Sequence, residues 1–167
     1  LTGADKIAIN TAAIKRPELI TEIAEKFGSQ AITVQIDAKR KGQGWEAYCE
    51  GGRQPTGRDA VEWAQEAVDR GSGEILLTSI DREGTEQGFD IDLVGRIATN
   101  VAVPVIAAGG FGKLGHAVKA VRARASGIAI AGALHYGRVR IREIKDVLAV
   151  AGVPVRKEQC EPSTITL

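Results

Sequence analysis

Gly73-Glu-Ile-Leu-Leu-Thr-Ser-Ile-Asp-Arg-Glu-Gly-Thr85 decides how this chain is read. The apolar run Ile75, Leu76, Leu77 turns abruptly polar at Thr78 and Ser79, and Asp81, Arg82, Gly84 and Thr85 follow. A continuous apolar run is how a parallel strand buried on both faces looks in sequence. A polar stretch directly behind it is a ligand-facing loop. The same event recurs at Asp37, at Gly109-Gly110 and at Gly132. Strand ends that turn polar one after another put the chemistry of the chain on one rim of a sheet.

Outward from that stretch, the pattern alternates. Strands are expected at residues 6–10, 31–36, 74–79, 104–108 and 127–131. Helices are expected at 17–27, 59–70, 90–99, 113–124 and 140–151. Pro17 suits the first turn of its helix, where no amide hydrogen is needed, and Gly28 its end. Leu19, Ile20, Ile23 and Phe27 form its predicted apolar stripe; Val61, Ala64 and Val68 form that of the next helix. Residues 39–56 are rich in glycine and charge, with Gly44 to Glu50 read as a small hairpin or ordered loop on the rim. Strands alternating with helices demand a parallel sheet with right-handed crossovers. The predicted fold is α/β, an incomplete (β/α)8 barrel of five parallel βα units. It occupies residues 1–156, followed by a polar C-terminal tail at 157–167. An internal echo agrees with a barrel: Gly3-Ala-Asp-Lys-Ile-Ala-Ile, Gly71-Ser-Gly-Glu-Ile-Leu-Leu and Ala125-Ser-Gly-Ile-Ala-Ile-Ala repeat one pattern on alternate strands.

Composition bounds the function. The chain has 167 residues, 22 basic and 21 acidic, for a net charge of +1. No basic face is available, so nucleic acid is not an expected partner. No apolar run reaches the roughly 18 residues of a membrane span, and the N-terminal residues do not read as a signal peptide. Cys49 and Cys160 lie far apart in polar sequence, as unpaired thiols of a reducing cytoplasm do. His116 and His135 show no ligand spacing. Neither a metal nor a cofactor is expected.

Gly109-Gly110 lies between a strand and a helix, and Ala131-Gly132 ends the following strand. Bare backbone amides at such places accept anions, and two on neighbouring strands late in a (βα) series match the phosphate site of (β/α)8 barrels. Asn10-Thr11 is either a helix cap or a seat for a second anionic group. Asp37 directly follows an apolar strand, where a carboxylate loses part of its hydration and can transfer protons; its structural alternative is a salt bridge to Lys39 or Arg40. Asp81 stands equally as a substrate residue or as a structural one, a loop cap or a bridge to Arg82. Asp5, Lys6 and Glu74 lie at the opposite ends of their strands, where charge serves stability or an interface, and Lys6 and Glu74 on alternate strands could form a charged ring.

These residues resemble the cyclase subunit of imidazole glycerol phosphate synthase, the HisF family. The resemblance is carried by Gly3-Ala-Asp-Lys-Ile-Ala-Ile-Asn-Thr-Ala-Ala13, Ile36-Asp-Ala-Lys-Arg40, residues 73–85, and Pro104-Val-Ile-Ala-Ala-Gly-Gly110. It runs from Leu1 to about Arg156 and corresponds to strands four to eight of the barrel. It implies ammonia delivered by a HisH-type glutaminase partner. It also implies a bis-phosphorylated substrate, PRFAR, converted to imidazole glycerol phosphate and AICAR. By resemblance Asp37 is one of two catalytic aspartates. Asn10 and Thr11 bind one phosphate; Gly84, Gly110 and Ala131 bind the other. Thr78 contacts substrate, Lys6 and Glu74 gate ammonia, and Asp5 belongs to the glutaminase interface.

The chain departs from the family pattern at Ala108 and Gly132, where serine is usual, and at Glu83, where aspartate is common. The aspartate of strand one has no counterpart here, so the isolated chain is expected to be inactive. A start at Leu1 suggests a fragment, a half-barrel that must associate, or a recombined piece. The other readings are a non-catalytic phosphate-binding half-barrel, a HisF-like paralogue, and a HisA-like isomerase, towards which Gly132-Ala-Leu-His-Tyr-Gly137 leans.

Overall fold

The computed structural model describes residues 3–156. The predicted tail at 157–167, Cys160 and the first residues of the chain lie outside them. Seven strands form one sheet: β1 (Ile7–Ile9), β2 (Ile32–Lys41), β3 (Gly44–Cys49), β4 (Gln54–Asp59), β5 (Glu74–Ser79), β6 (Val105–Ala108) and β7 (Gly127–Ala129). Seven helices flank it: α1 (Thr11–Lys15), α2 (Glu18–Phe27), α3 (Ala60–Asp69), α4 (Ile91–Asn100), α5 (Leu114–Arg122), α6 (Gly132–His135) and α7 (Ile141–Val150).

The five expected parallel strands are present and pair β1–β2, β2–β5, β5–β6 and β6–β7. The echoing segments therefore do fall on alternate strands, β1, β5 and β7. The fold is a partial (β/α)8 barrel: among the described residues no pairing joins β7 to β1.

One stretch corrects the purely parallel expectation. The strand predicted to stop before Asp37 continues to Lys41 and turns back as β3, which pairs antiparallel with β2 and with β4. Residues 39–56 are thus ordered sheet. Lys39, Arg40, Lys41 and Glu46 are strand residues, and three of the glycines make the turns: Gly42 (φ 59), Gly51 (φ 67) and Gly52 (φ 76) lie in the left-handed region. β2 has neighbours on both sides: β5 along one, β1 and then β3 along the other.

Alternation separates two faces. Ile32, Val34, Ile36 and Ala38 of β2, with Ile75 and Leu77 of β5, are buried beneath the helices. Thr33, Gln35, Asp37, Glu74, Leu76 and Thr78 occupy the other face. Helix α3 buries Ala60, Trp63, Ala64 and Ala67, at i, i+3, i+4 and i+7. The predicted stripe of Val61, Ala64 and Val68 is therefore rotated, because the wide indole of Trp63 claims the centre of the contact. Asp59 caps this helix, accepting hydrogen bonds from the amides of Val61 (2.8 Å) and Glu62 (3.1 Å). Phe27, expected inward on α2, is 55% exposed at the helix end, with the Lys26 ammonium 5.3 Å from its ring.

Candidate functional site

Asp37 is 5% exposed, more deeply buried than a strand-end carboxylate would be. Its two oxygens are held separately: Asn10 Nδ2 donates to Oδ2 (2.8 Å) and Gln35 Nε2 donates to Oδ1 (3.0 Å). Two neutral amides, and not Lys39 or Arg40, are its hydrogen-bond partners. Arg40 instead lies over the Trp45 ring at 4.5 Å. Among the described residues the carboxylate is thus oriented by two amides and by no paired cation.

Asn10 stands at the N-cap position of α1, yet its side-chain oxygen accepts no capping bond, and its amide nitrogen donates to Asp37. Its Oδ1 is buried without a partner among the described residues, an acceptor beside the carboxylate. The Thr11 hydroxyl accepts from the Glu50 amide (3.0 Å), and Lys15 pairs with the Glu50 carboxylate (2.7 Å). The end of β1 is therefore tied to the β3–β4 turn. Asp81 accepts from the Arg40 amide (2.7 Å) and not from Arg82, so it fastens the loop after β5 to β2.

The predicted glycines do converge. Gly84, Gly109, Gly110, Ala131 and Gly132 line one cavity of about 470 Å³. Gly109 (φ 87) and Gly110 (φ 97) adopt backbone that side chains disfavour, and a Cβ on Gly110 would lie 2.4 Å from the Gly88 carbonyl oxygen. These glycines let backbone line the cavity floor. Behind them His116 Nδ1 accepts from the amides of Gly112 (3.2 Å) and Lys113 (3.4 Å). Burial, with Lys113 and Lys119 nearby, lowers its pKa below the ordinary value. His116 is 6% exposed and props the glycine loop.

Register joins the two halves of the site. Asp37 faces Thr78, Thr78 faces Ala108, and Ala108 lines the cavity. Two strand spacings put the carboxylate roughly 10 Å from the cavity wall. At the opposite end of the strands, Lys6 pairs with Glu74 (3.2 Å), whose same oxygen accepts from Thr33 (3.0 Å). Asp5 is exposed beside them and shares no partner with this group.

Sequence reasoning missed Gln35, Arg138 and Glu86. Gln35 carried a signal, a polar residue inside an apolar strand two positions before Asp37. Arg138 and Glu86 carried none, because only the fold brings residues 52 positions apart to one rim. Among the described residues, no helix is long and apolar enough to cross a membrane.

A family model described as "Histidine biosynthesis protein" matches residues 1–140. The chain is 51% identical over 163 residues to the imidazole glycerol phosphate synthase subunit HisF of Gluconacetobacter diazotrophicus. That match covers 97% of this chain and 63% of the relative, so the chain spans less than two thirds of the relative's length.

Proposed function

The chain belongs to the histidine biosynthesis protein family, and from that membership we propose that it forms the larger part of a cyclase subunit of imidazole glycerol phosphate synthase. The proposed reaction joins PRFAR and ammonia to give imidazole glycerol phosphate and AICAR. Residues 3–156 act as one partial barrel domain within it.

The observation that carries this reading is the line from Asp37 through Thr78 to the glycine cavity. From β1 to β7 the sheet spans four strand steps, roughly 19 Å, with Asn10 and Thr11 at one side and bare backbone at the other. An elongated substrate with an anionic group at each end fits that span. The backbone amides of Gly84, Gly110 and Ala131, with Gly132 beside them, receive one phosphate, and Asn10 and Thr11 the other. Asp37 then lies one strand step in from the Asn10 end, as the group that moves the proton. The open Oδ1 of Asn10 can accept a hydrogen bond from a reacting nitrogen beside it. The Lys6–Glu74 pair guards the far end of the strands, where ammonia from a HisH-type glutaminase enters, with Asp5 at the docking surface.

The test supplies the barrel strands this chain lacks as a co-expressed N-terminal piece of the HisF relative and measures PRFAR consumption with ammonium. Turnover is expected for the pair, none for the 167-residue chain alone, and none for the pair carrying Asp37→Asn. Undiminished turnover with Asp37→Asn would remove Asp37 from the chemistry.

A second reading, a phosphate-binding half-barrel that associates with itself, is favoured by one observation. Ile7 is 40% exposed on β1, a strand whose other edge is unpaired among the described residues. Light scattering separates the two, since a monomer at micromolar concentration contradicts it.

A further inference from the structure

Arg138 is the single basic side chain among the described residues that line the glycine cavity, whereas Glu83 and Glu86 bring two carboxylates. The side chains therefore oppose an anion that the backbone would welcome. The geometry shows how that conflict is contained. Arg138 pairs with Glu86 across the cavity rim, and the Tyr136 ring lies 5.4 Å from the guanidinium carbon.

Both backbones are fixed. The Arg138 amide donates to the Ala133 carbonyl (2.9 Å). Glu86 holds a left-handed backbone (φ 59), and a Cβ on Gly112 would lie 2.2 Å from its carbonyl oxygen. Only the side chains are free to rearrange. They are 53% and 52% exposed, so water competes with the pair and weakens it. A phosphate monoester offers the guanidinium two oxygens and a greater charge, in the fork geometry that arginine matches best.

We propose that Arg138 is a specificity-determining residue for the phosphate end of the substrate, held by Glu86 in the empty site and exchanged onto the phosphate when it binds. Glu86 is then a built-in competitor: it keeps the guanidinium placed and sets a threshold that a singly charged anion does not pass. This rests on the reading of the cavity as a phosphate site. It adds a side-chain contact to a seat otherwise made of backbone.

The experiment titrates the isotope-labelled 167-residue chain with inorganic phosphate at constant ionic strength, following the amide signals of Gly110 and Gly132. Arg138→Gln is expected to weaken binding about tenfold, near the low end of the worth of one charge-assisted hydrogen bond, since the pair with Glu86 is given up on binding. Glu86→Gln is expected to tighten it about threefold by releasing the guanidinium, and most of that gain disappears in the double variant. Both side chains are half exposed, so the dispersion of the spectrum should be retained in each. Equal affinity of wild type and Arg138→Gln, with the glycine amides still shifting, overturns the proposal and leaves the phosphate site standing. An Arg138-independent gain from Glu86→Gln also overturns it, as simple removal of repulsion. No response of the glycine amides in the wild type overturns both.

Discussion

Gly110→Ala separates a glycine required by the fold from one that is merely present. At Gly110 the backbone φ is 97, and the added methyl would lie 2.4 Å from the Gly88 carbonyl oxygen and 2.9 Å from Arg82 Cβ. Holding a side-chain residue in that conformation costs about 1–3 kcal/mol. Relieving the clash moves backbone, since the obstacle is a carbonyl and not the tip of a flexible side chain, and overpacking of this kind costs about 1–3 kcal/mol more. The shift also strains the Gly88 amide bond to the Gly110 carbonyl, now 2.7 Å. The expected loss is about 4 kcal/mol in total. Gly132→Ala is the control: it lines the same cavity, yet nothing lies within 4 Å of its added methyl. Its effect should stay within about 0.5 kcal/mol. Urea denaturation followed by circular dichroism reads both, with the midpoint shifting and the slope unchanged. If Gly110→Ala unfolds within about 1 kcal/mol of wild type, the glycine loop is not packed as described and the steric argument fails.

Asp59→Ala removes the cap that accepts from Val61 and Glu62 and should cost about 1–2 kcal/mol in the same assay. Trp45→Phe deletes the indole bond to the Asp90 carboxylate (2.9 Å) and should cost about 1.5–3 kcal/mol, the range for a hydrogen bond to a charged group. His116 gives a pH dependence. Its folded pKa is lowered from 6.5 by burial first and by Lys113 and Lys119 second, so the unfolded chain binds the proton more tightly. Its stabilisation is complete above the unfolded value and is lost as pH falls through the folded one. The thermal midpoint should therefore drop between about pH 7.5 and about pH 5, and drop less in His116→Asn, which keeps an acceptor but cannot titrate. Parallel slopes for the two proteins would assign the pH effect elsewhere.

The parallel scaffold was legible because each buried strand is written as a short apolar run. Ile75 to Leu77 and Val105 to Ala108 run into polar or glycine residues, and local sequence is enough to see that. The glycine cavity was legible for the same reason: Gly109-Gly110 and Ala131-Gly132 sit on neighbouring strands, and the fold closes the gap. The continuation of β2 was not, since Asp37, Lys39 and Lys41 look like the end of a strand. Burial of Asp37 there is decided by Asn10, Gln35 and a returning hairpin, which only tertiary pairing supplies. Helix α6 was missed because four residues are too few for any periodicity to register. Phe27 was misplaced since a stripe counted along a helix says nothing about where its cover ends.

The double flanking of β2 has a consequence for how the molecule breathes. Amides at the centre of a sheet exchange with solvent only when most of the structure opens, whereas strands with one free edge open locally. Exchange should therefore be slowest in β2 and β5 and fastest in the edge strands β1, β4 and β7. Asn10 follows β1 directly, while Asp37 sits within β2. The amide that orients the carboxylate thus belongs to the part that opens first, and the carboxylate to the part that opens last. Slow fluctuations at the β1 edge would release one oxygen of Asp37 while leaving its backbone in place.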